Sequence, residues 1–316
     1  MRDLRIVFMG TPEFAVTILS GLLDAKYNLV GVITAPDRPA GRGQKVRKSA
    51  VKVFSEEKGL HILQPTNLKD TSFSEELKSL NANLQIVVAF RMLPEVVWKM
   101  PQYGTFNLHA SLLPQYRGAA PINWAIINGE TETGVTTFFI DEKIDTGAII
   151  FQEKLSISNT ENAGQLHDRL MVSGSTLVIK TVQAIAEDRV TTYIQDNNEG
   201  LKTAYKLHSD NTKIDWSSSL ENIYNHIRGL SPYPSAYTIL ENGGKEQRVK
   251  IYNAFIKEEK DITQEIGSIS IIDNHLAVAT TEGYICITEI QLSGKRKMAV
   301  KDLINGYKFD ENAKMR

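Results

Sequence analysis

The chain of 316 residues holds a single cysteine, Cys286, so neither an internal disulfide nor a cysteine-built zinc or iron–sulfur site can form within one copy. It also lacks any apolar run of the roughly 18–20 residues needed to span a membrane. Its opening, Met1-Arg2-Asp3-Leu4-Arg5, leads straight into a short strand with no apolar signal region. These absences predict a cytoplasmic protein with no membrane partner. An excess of one charge is missing too: 36 Lys and Arg stand against 37 Asp and Glu, a net charge of −1, so any footprint for a polyanion has to be local. The first βα turn, Gly10-Thr11-Pro12-Glu13-Phe14, is poor in glycine and does not match the G-x-G-x-x-G fingerprint, which disfavours nicotinamide chemistry. There is no P-loop and no H-E-x-x-H, and His61, His109, His167, His208, His226 and His275 are dispersed, so no metal is predicted.

What remains is the composition of a folded protein: 42% hydrophobic, 23% charged and 8% aromatic residues, over a length suited to about two domains. Residues 4–9 form a run that is apolar apart from Arg5 and ends at Gly10. Phe14, Ala15, Ile18, Leu19, Leu22 and Leu23 then recur at helical spacing. The pattern repeats with a strand at 29–34 before a helix at 51–58, and a strand at 84–90 before a helix at 94–99. Strands buried on both faces and alternating with helices predict a Rossmann-like, mostly parallel α/β sheet. Strands at 105–110, 135–140 and 148–157 and helices at 121–128 and 162–187 complete a catalytic domain over 1–189. The polar stretch from Gln195 to Gly200 falls in an expected linker, 190–206. After a helix at 220–230 come five short strands, at 236–240, 249–256, 268–272, 276–280 and 284–290. They predict a small OB-fold-like β-barrel within a C-terminal domain over 207–316.

The sharpest chemical signal is the stretch from Thr105 to Gly118. Asn107 and His109 lie two apart in a strand, so their side chains leave the same face, with Leu108 opposite. An amide and an imidazole then share a surface at the C-terminal end of a parallel strand, where open α/β sheets place their ligands. Spacing alone does not separate a catalytic pair from two satisfied polar residues at a strand end. Asp145, in Asp145-Thr146-Gly147, sits on a turn that this topology can bring beside them. Taken singly, it is equally a turn-forming aspartate. Together the three make an acyl-transfer set: the amide and imidazole stabilise a developing oxyanion, the carboxylate holds the imidazole and relays a proton, and the substrate supplies its own amine.

Between the second strand and its helix, Arg38, Arg42, Lys45, Arg47, Lys48 and Lys52 occur with no acidic residue among them, on a loop too long for a plain βα connection. A solvated surface loop is the bland reading. The functional one is a flexible arm that neutralises phosphates. Lys295, Arg296, Lys297 and Lys301 form a second basic cluster after the last barrel strand, and two such clusters suit one extended polyanion.

These residues bear a family resemblance. Phe8-Met9-Gly10-Thr11-Pro12-Glu13-Phe14-Ala15, Pro36-Asp37-Arg38-Pro39-Ala40-Gly41-Arg42-Gly43, and above all Asn107-Leu108-His109-Ala110-Ser111-Leu112-Leu113-Pro114-Gln115-Tyr116-Arg117-Gly118 resemble methionyl-tRNA formyltransferases, within the folate-dependent formyltransferases. Asp141, Asp145-Thr146-Gly147, Lys213-Ile214-Asp215-Trp216 and Ile227-Arg228-Gly229-Leu230 extend the likeness over nearly the whole chain. The resemblance implies formyl transfer from 10-formyltetrahydrofolate to the α-amino group of methionine on initiator tRNA, by a monomer that uses no metal. It implies a catalytic trio of Asn107, His109 and Asp145. The folate is then held by Phe90, Arg91, Met92 and Leu93 with Ser111, Leu112, Leu113, Pro114, Ile140 and Asp141. The tRNA is met by Arg38, Arg42, Lys45, Lys206, Lys295, Arg296 and Lys297. The chain departs from the family at Thr203-Ala204-Tyr205-Lys206, where Tyr-Ala-Pro-Lys is common: the lysine is kept and the proline is not. The trio would equally serve a small amine such as glycinamide ribonucleotide or a nucleotide-linked amino sugar. A nucleic-acid binder with an inactive α/β domain would need no trio at all.

Overall fold

The computed structural model describes residues 1–40, 45–196, 200–259 and 262–316. The opening apolar run forms β1 (Arg5–Gly10), and α1 (Glu13–Asp24) follows with Phe14, Ala15, Ile18, Leu19 and Leu22 buried, the spacing of one helical face. Next come β2 (Asn28–Ile33), the short strands β3 (Arg38–Ala40) and β4 (Lys45–Arg47), α2 (Ala50–Glu57), β5 (Ile62–Leu63) and α3 (Thr71–Ser79). They are followed by β6 (Leu84–Val88), α4 (Glu95–Trp98), β7 (Thr105–His109), β8 (Arg117–Gly118), α5 (Pro121–Ile127), β9 (Glu132–Phe139), β10 (Ile149–Ser156), the long α6 (Ala163–Ala186) and β11 (Thr203–Ala204).

Seven of these strands make one sheet in the order β10-β9-β7-β6-β1-β2-β5. β1 runs parallel to β2 and β6, β2 to β5 and β6 to β7, and β9 joins β7 antiparallel. The sheet is thus mostly parallel, as the alternating pattern predicts. Chain order leaves β1 toward β2 and β5 on one side and returns to β6 on the other, which puts a topological switch point between β1 and β6. The C-terminal ends of β1, β6 and β7, at Gly10, Val88 and His109, share the edge where such sheets bind ligands.

By density of contacts the chain forms two units. One comprises Met1–Gly118, Thr133–Leu155 and His167–Thr203; the other Ala119–Glu132, Ser156–Leu166 and Ala204–Arg316. Two early segments therefore belong with the C-terminal part, and named contacts explain why. Asn123 Nδ2 donates to Gly229 O at 2.8 Å, and a Cβ on Gly229 would lie 2.6 Å from Ile127 Cγ1, so only glycine lets α5 approach α7 (Leu220–Leu230) this closely. Buried Arg228 donates through Nη1 to the carbonyls of Ser158 at 3.2 Å and Glu161 at 2.8 Å.

The second unit also holds β12 (Ala236–Asn242), β13 (Lys245–Glu258), β14 (Ile269–Ile272), β15 (His275–Ala279), β16 (Gly283–Leu292), β17 (Met298–Ala299), α8 (Val300–Ile304) and β18 (Lys314–Met315). The ladder order is β14-β15-β16-β13-β12-β18, with β17 on β16. β18 pairs with β12, and Met315 N also donates to Gly267 O at 2.8 Å beside a Ser268–Lys314 bridge, which closes the sheet on itself and removes its open edges. Ile223, Ile227 and Leu230 of α7 bury with Leu240, Val249, Ile251, Leu276, Ile285 and Ile287 to fill the barrel. The five expected strands are present; β17 and β18, two residues each, are too short to show a period. Cys286 is buried here, and burial pushes its thiol up from the ordinary value, so it packs as a small apolar side chain. Among the described residues, no helix is long and apolar enough to cross a membrane, and no group of three acidic, histidine or cysteine side chains is placed to hold a metal ion.

Candidate active site

β7 lies between β6 and β9, with Asn107 paired to Val87 on one side and Phe138 on the other. Its pleat sends Asn107 and His109 to one face. Leu108, on the other, packs where a Cβ on Gly174 of α6 would lie 2.7 Å from its Cδ2. His109 is buried, and its Nε2 lies 2.8 Å from Tyr116 O. A carbonyl only accepts, so Nε2 carries the hydrogen and the tautomer is fixed. The other ring nitrogen, Nδ1, faces Asp145 Oδ2 at 3.8 Å. Asn107 Oδ1 is buried without a hydrogen-bond partner among the described residues, an arrangement that ordinarily costs about 1–3 kcal/mol.

The loops around this pair are held in costly backbone conformations. Ala89, Tyr116 and Asp145 have φ of +47°, +59° and +56°, in the left-handed region that non-glycine residues seldom occupy. Each such residue costs of the order of 1–3 kcal/mol and persists where surroundings over-determine it. They do so at Asp145. Its Oδ2 accepts from Gly118 N at 2.9 Å. Asp141 Oδ1 accepts from Thr146 Oγ1 at 2.7 Å and Lys143 N at 3.0 Å. A Cβ on Gly147 would sit 1.7 Å from Phe139 O, so the turn after Asp145 can only be glycine. The Asp-x-Gly sequence thus builds a turn and presents a carboxylate at once.

Sequence reasoning missed Gln195. Placed in an expected linker, it is buried, and its Nε2 donates to the carbonyls of Asp145 at 2.9 Å and Gly147 at 2.8 Å. Its Oε1 accepts from Arg117 Nε at 3.0 Å and Nη2 at 2.7 Å. A single glutamine in a polar stretch carries no periodic signal, and nothing local would have revealed it.

The residues expected to hold the folate divide into frame and surface. Ser111 is fully buried, and its hydroxyl donates to Gln115 O at 2.6 Å; Leu113 is buried with Phe138 and Ile149. Both brace the loop that carries Leu112 and Pro114. Arg91 donates to the carbonyls of Pro65 and Thr66, and burial lowers its guanidinium from the ordinary value. Leu93 is buried, Phe90, Ile140 and Asp141 are half-buried, and Met92 is 68% exposed.

The basic loop is less free than its composition suggests. Lys52 Nζ lies 2.5 Å from Asp37 Oδ2, and this contact holds the Asp37 carboxyl below its ordinary range; Lys48 pairs with Glu56 at 2.7 Å. Arg38 is exposed on β3, opposite Arg47 of β4. Arg42 and the Lys45 side chain lie outside the described residues. Lys206, Lys295, Arg296 and Lys297 are exposed in the second unit. Lys297 is answered by Glu289 Oε2 at 3.1 Å. Tyr205, in the proline's place, is 64% exposed and packs edge-on against Trp124, the ring centroids 6.1 Å apart.

An amide, a tautomer-fixed imidazole and a carboxylate at the ligand edge of a parallel sheet, followed by a small barrel, define the class. The Formyl transferase family model matches residues 4–182, and the Formyl transferase, C-terminal domain model matches residues 206–308. Curated relatives narrow it further. The chain is 58% identical to a methionyl-tRNA formyltransferase of Flavobacterium johnsoniae, covering 100% of both chains. It is 50% identical to one of Parabacteroides distasonis, covering 97% of this chain and 96% of that one. Among solved structures, a sugar 3N-formyl transferase matches with a TM-score of 0.65 at 21% identity, over 94% of this chain and 100% of the other, a likeness of fold. The chain belongs to the methionyl-tRNA formyltransferase family.

Proposed function

We infer that Asn107, His109 and Asp145 transfer a formyl group from a folate-derived donor, specifically 10-formyltetrahydrofolate, to the α-amino group of methionine carried by initiator tRNA. The observation that carries the reading is the buried Asn107 Oδ1, unpartnered among the described residues, on the same strand face as an imidazole anchored through Nε2 and turned toward Asp145 through Nδ1. Oδ1 accepts an N–H of the attacking amine and orients its lone pair toward the formyl carbon. The Nδ2 end of the same amide and Nδ1–H of protonated His109 donate to the oxygen as it gains charge. Asp145, held by Gly118 N–H, keeps its carboxylate toward Nδ1 and accepts the amine proton. The new C–N bond forms to the amine, the bond from the formyl carbon to the donor nitrogen breaks, and that nitrogen takes the proton. No serine or cysteine nucleophile is required.

Phe90, Arg91, Met92, Leu93, Leu112, Pro114, Ile140 and Asp141 are assigned to the donor. The basic loop with Arg38, Arg42 and Lys45, and the second unit with Lys206, Lys295, Arg296 and Lys297, are assigned to the tRNA, in a monomer working in the cytoplasm. The test is a formylation assay with 10-formyltetrahydrofolate and, in parallel, methionine-charged initiator tRNA, uncharged tRNA and glycinamide ribonucleotide. Transfer to the charged tRNA alone is expected. Transfer to the small amine instead would keep the chemistry and overturn the role of the basic loop.

A further inference from the structure

We propose that Gln195 is a positioning residue for this reaction: its side-chain amide couples Arg117 to the turn that carries Asp145 and so fixes the distance between Asp145 and His109. The proposal rests on the catalytic role given to Asp145.

The argument begins with the backbone. At φ +56° Asp145 leaves the β geometry, so its own carbonyl and that of Gly147 need donors from elsewhere. Both receive them from one group, Gln195 Nε2, at 2.9 and 2.8 Å. The other end of the same amide accepts two hydrogens from the Arg117 guanidinium, at 3.0 and 2.7 Å. Arg117 adjoins Tyr116, whose carbonyl anchors His109 Nε2, and Gly118, whose N–H holds Asp145 Oδ2. One buried amide therefore ties the segment that fixes the imidazole to the turn that fixes the carboxylate. Gln195 is itself pinned to the sheet two residues earlier, where Tyr193 and Ile149 exchange backbone hydrogen bonds of 3.1 and 2.9 Å and the Tyr193 hydroxyl donates to Gln152 at 2.8 Å. The 3.8 Å between Nδ1 and Oδ2 is the quantity this bracing sets.

Two variants isolate the donor bonds. Gln195→Glu keeps an acceptor for Arg117, now as an ion pair, but has no hydrogen for the two carbonyls; Gln195→Met keeps volume and burial and loses both sets of bonds. Each is assayed with saturating donor and charged tRNA beside Asp145→Asn, with thermal unfolding to confirm the fold. Gln195→Glu is expected to lower kcat roughly 10- to 100-fold, the usual consequence of about an ångström of misplacement. KM for both substrates should stay within about threefold, since no binding contact is lost. The pH profile of kcat should move as well, because the carboxylate no longer sits at its set distance from the imidazole. Gln195→Met is expected to fall at least as far. Wild-type kcat and pH profile in Gln195→Glu would overturn the proposal, and a loss confined to Gln195→Met would assign the effect to Arg117 pairing instead. If Asp145→Asn itself keeps full activity, the catalytic reading of Asp145 fails first and takes the positioning role with it.

Discussion

The barrel of the second unit and the ligand-edge loops of the first are ordered by different means. In the barrel, closure by β18 on residues 267–269 satisfies the backbone, and side chains such as Leu240, Ile251 and Ile285, all fully buried, supply stability through apolar contact. In the loops, Ala89, Tyr116 and Asp145 lie in the left-handed region, the Asp145 turn is held by amide and carboxylate hydrogen bonds, and Asn107 keeps a buried oxygen unpaired among the described residues. One region is built for stability. The other holds locally unfavourable geometry, so under the proposed function substitutions in the two should fail in opposite ways.

The largest effect is expected in the barrel. Leu240→Ala removes a fully buried side chain from the core cluster and should cost about 2–5 kcal/mol of stability, read by denaturant or thermal unfolding, while kcat per folded molecule stays at the wild-type value. A loss of kcat without a loss of stability would break the contrast. Asn107→Ala should do the reverse. It is expected to lower kcat by roughly 10²–10³, about 2.7–4 kcal/mol of barrier, as for one lost oxyanion donor. Because Oδ1 has no partner among the described residues, its removal should leave the unfolding temperature unchanged or raised. A strongly lowered unfolding temperature with normal turnover would show Asn107 to be structural.

The same contrast explains what was legible beforehand. Periodic signals survive in sequence: α7 runs from Leu220 to Leu230 as expected, and the five barrel strands fall on their apolar alternation. α3 (Thr71–Ser79) escaped because only Phe73 and Leu77 mark its buried face, and β5 because two residues have no period. Asn107 and His109 were legible since a strand's pleat fixes which side chains share a face. That His109 is anchored through Nε2, leaving Nδ1 toward Asp145, was not, because it depends on a carbonyl seven residues away in a non-periodic loop. Gln195 was least legible of all: its meaning lies wholly in long-range hydrogen bonds to Arg117 and the Asp145 turn. The grouping of α5 and residues 156–166 with the barrel has the same cause, resting on Gly229 and Arg228.

A smaller effect belongs to His226, a titratable group inside the stable region. Burial holds it below the ordinary value of 6.5, against the opposing pull of the Thr212 and Lys213 carbonyls, and its Nε2 has no partner among the described residues. The folded state thus prefers the neutral ring, and below about pH 6.5 the unfolded chain binds a proton that the folded one resists. The contribution is present in full above that pH and is lost as pH falls, levelling off once the folded form protonates too. Unfolding temperatures from pH 8 to pH 5 should drop less in His226→Gln than in the wild type. Parallel curves would place the acid sensitivity elsewhere.

The smallest effect tests whether the exposed cations of the second unit act alike on a polyanion. Under the assignment of Lys295, Arg296 and Lys297 to the tRNA, each free charge meeting a phosphate should contribute close to 0.9 to the slope of log affinity against log salt, an estimate of about one counterion per contact. Lys297 already lies 3.1 Å from Glu289 Oε2 and 5.3 Å over the Tyr252 ring, so moving onto a phosphate would break an existing pair. Lys297→Ala should therefore flatten the salt dependence of tRNA binding by clearly less than one contact, and Glu289→Gln should tighten binding at low salt by releasing the lysine. A full contact's worth of slope lost in Lys297→Ala would show that the ion pair opens on binding.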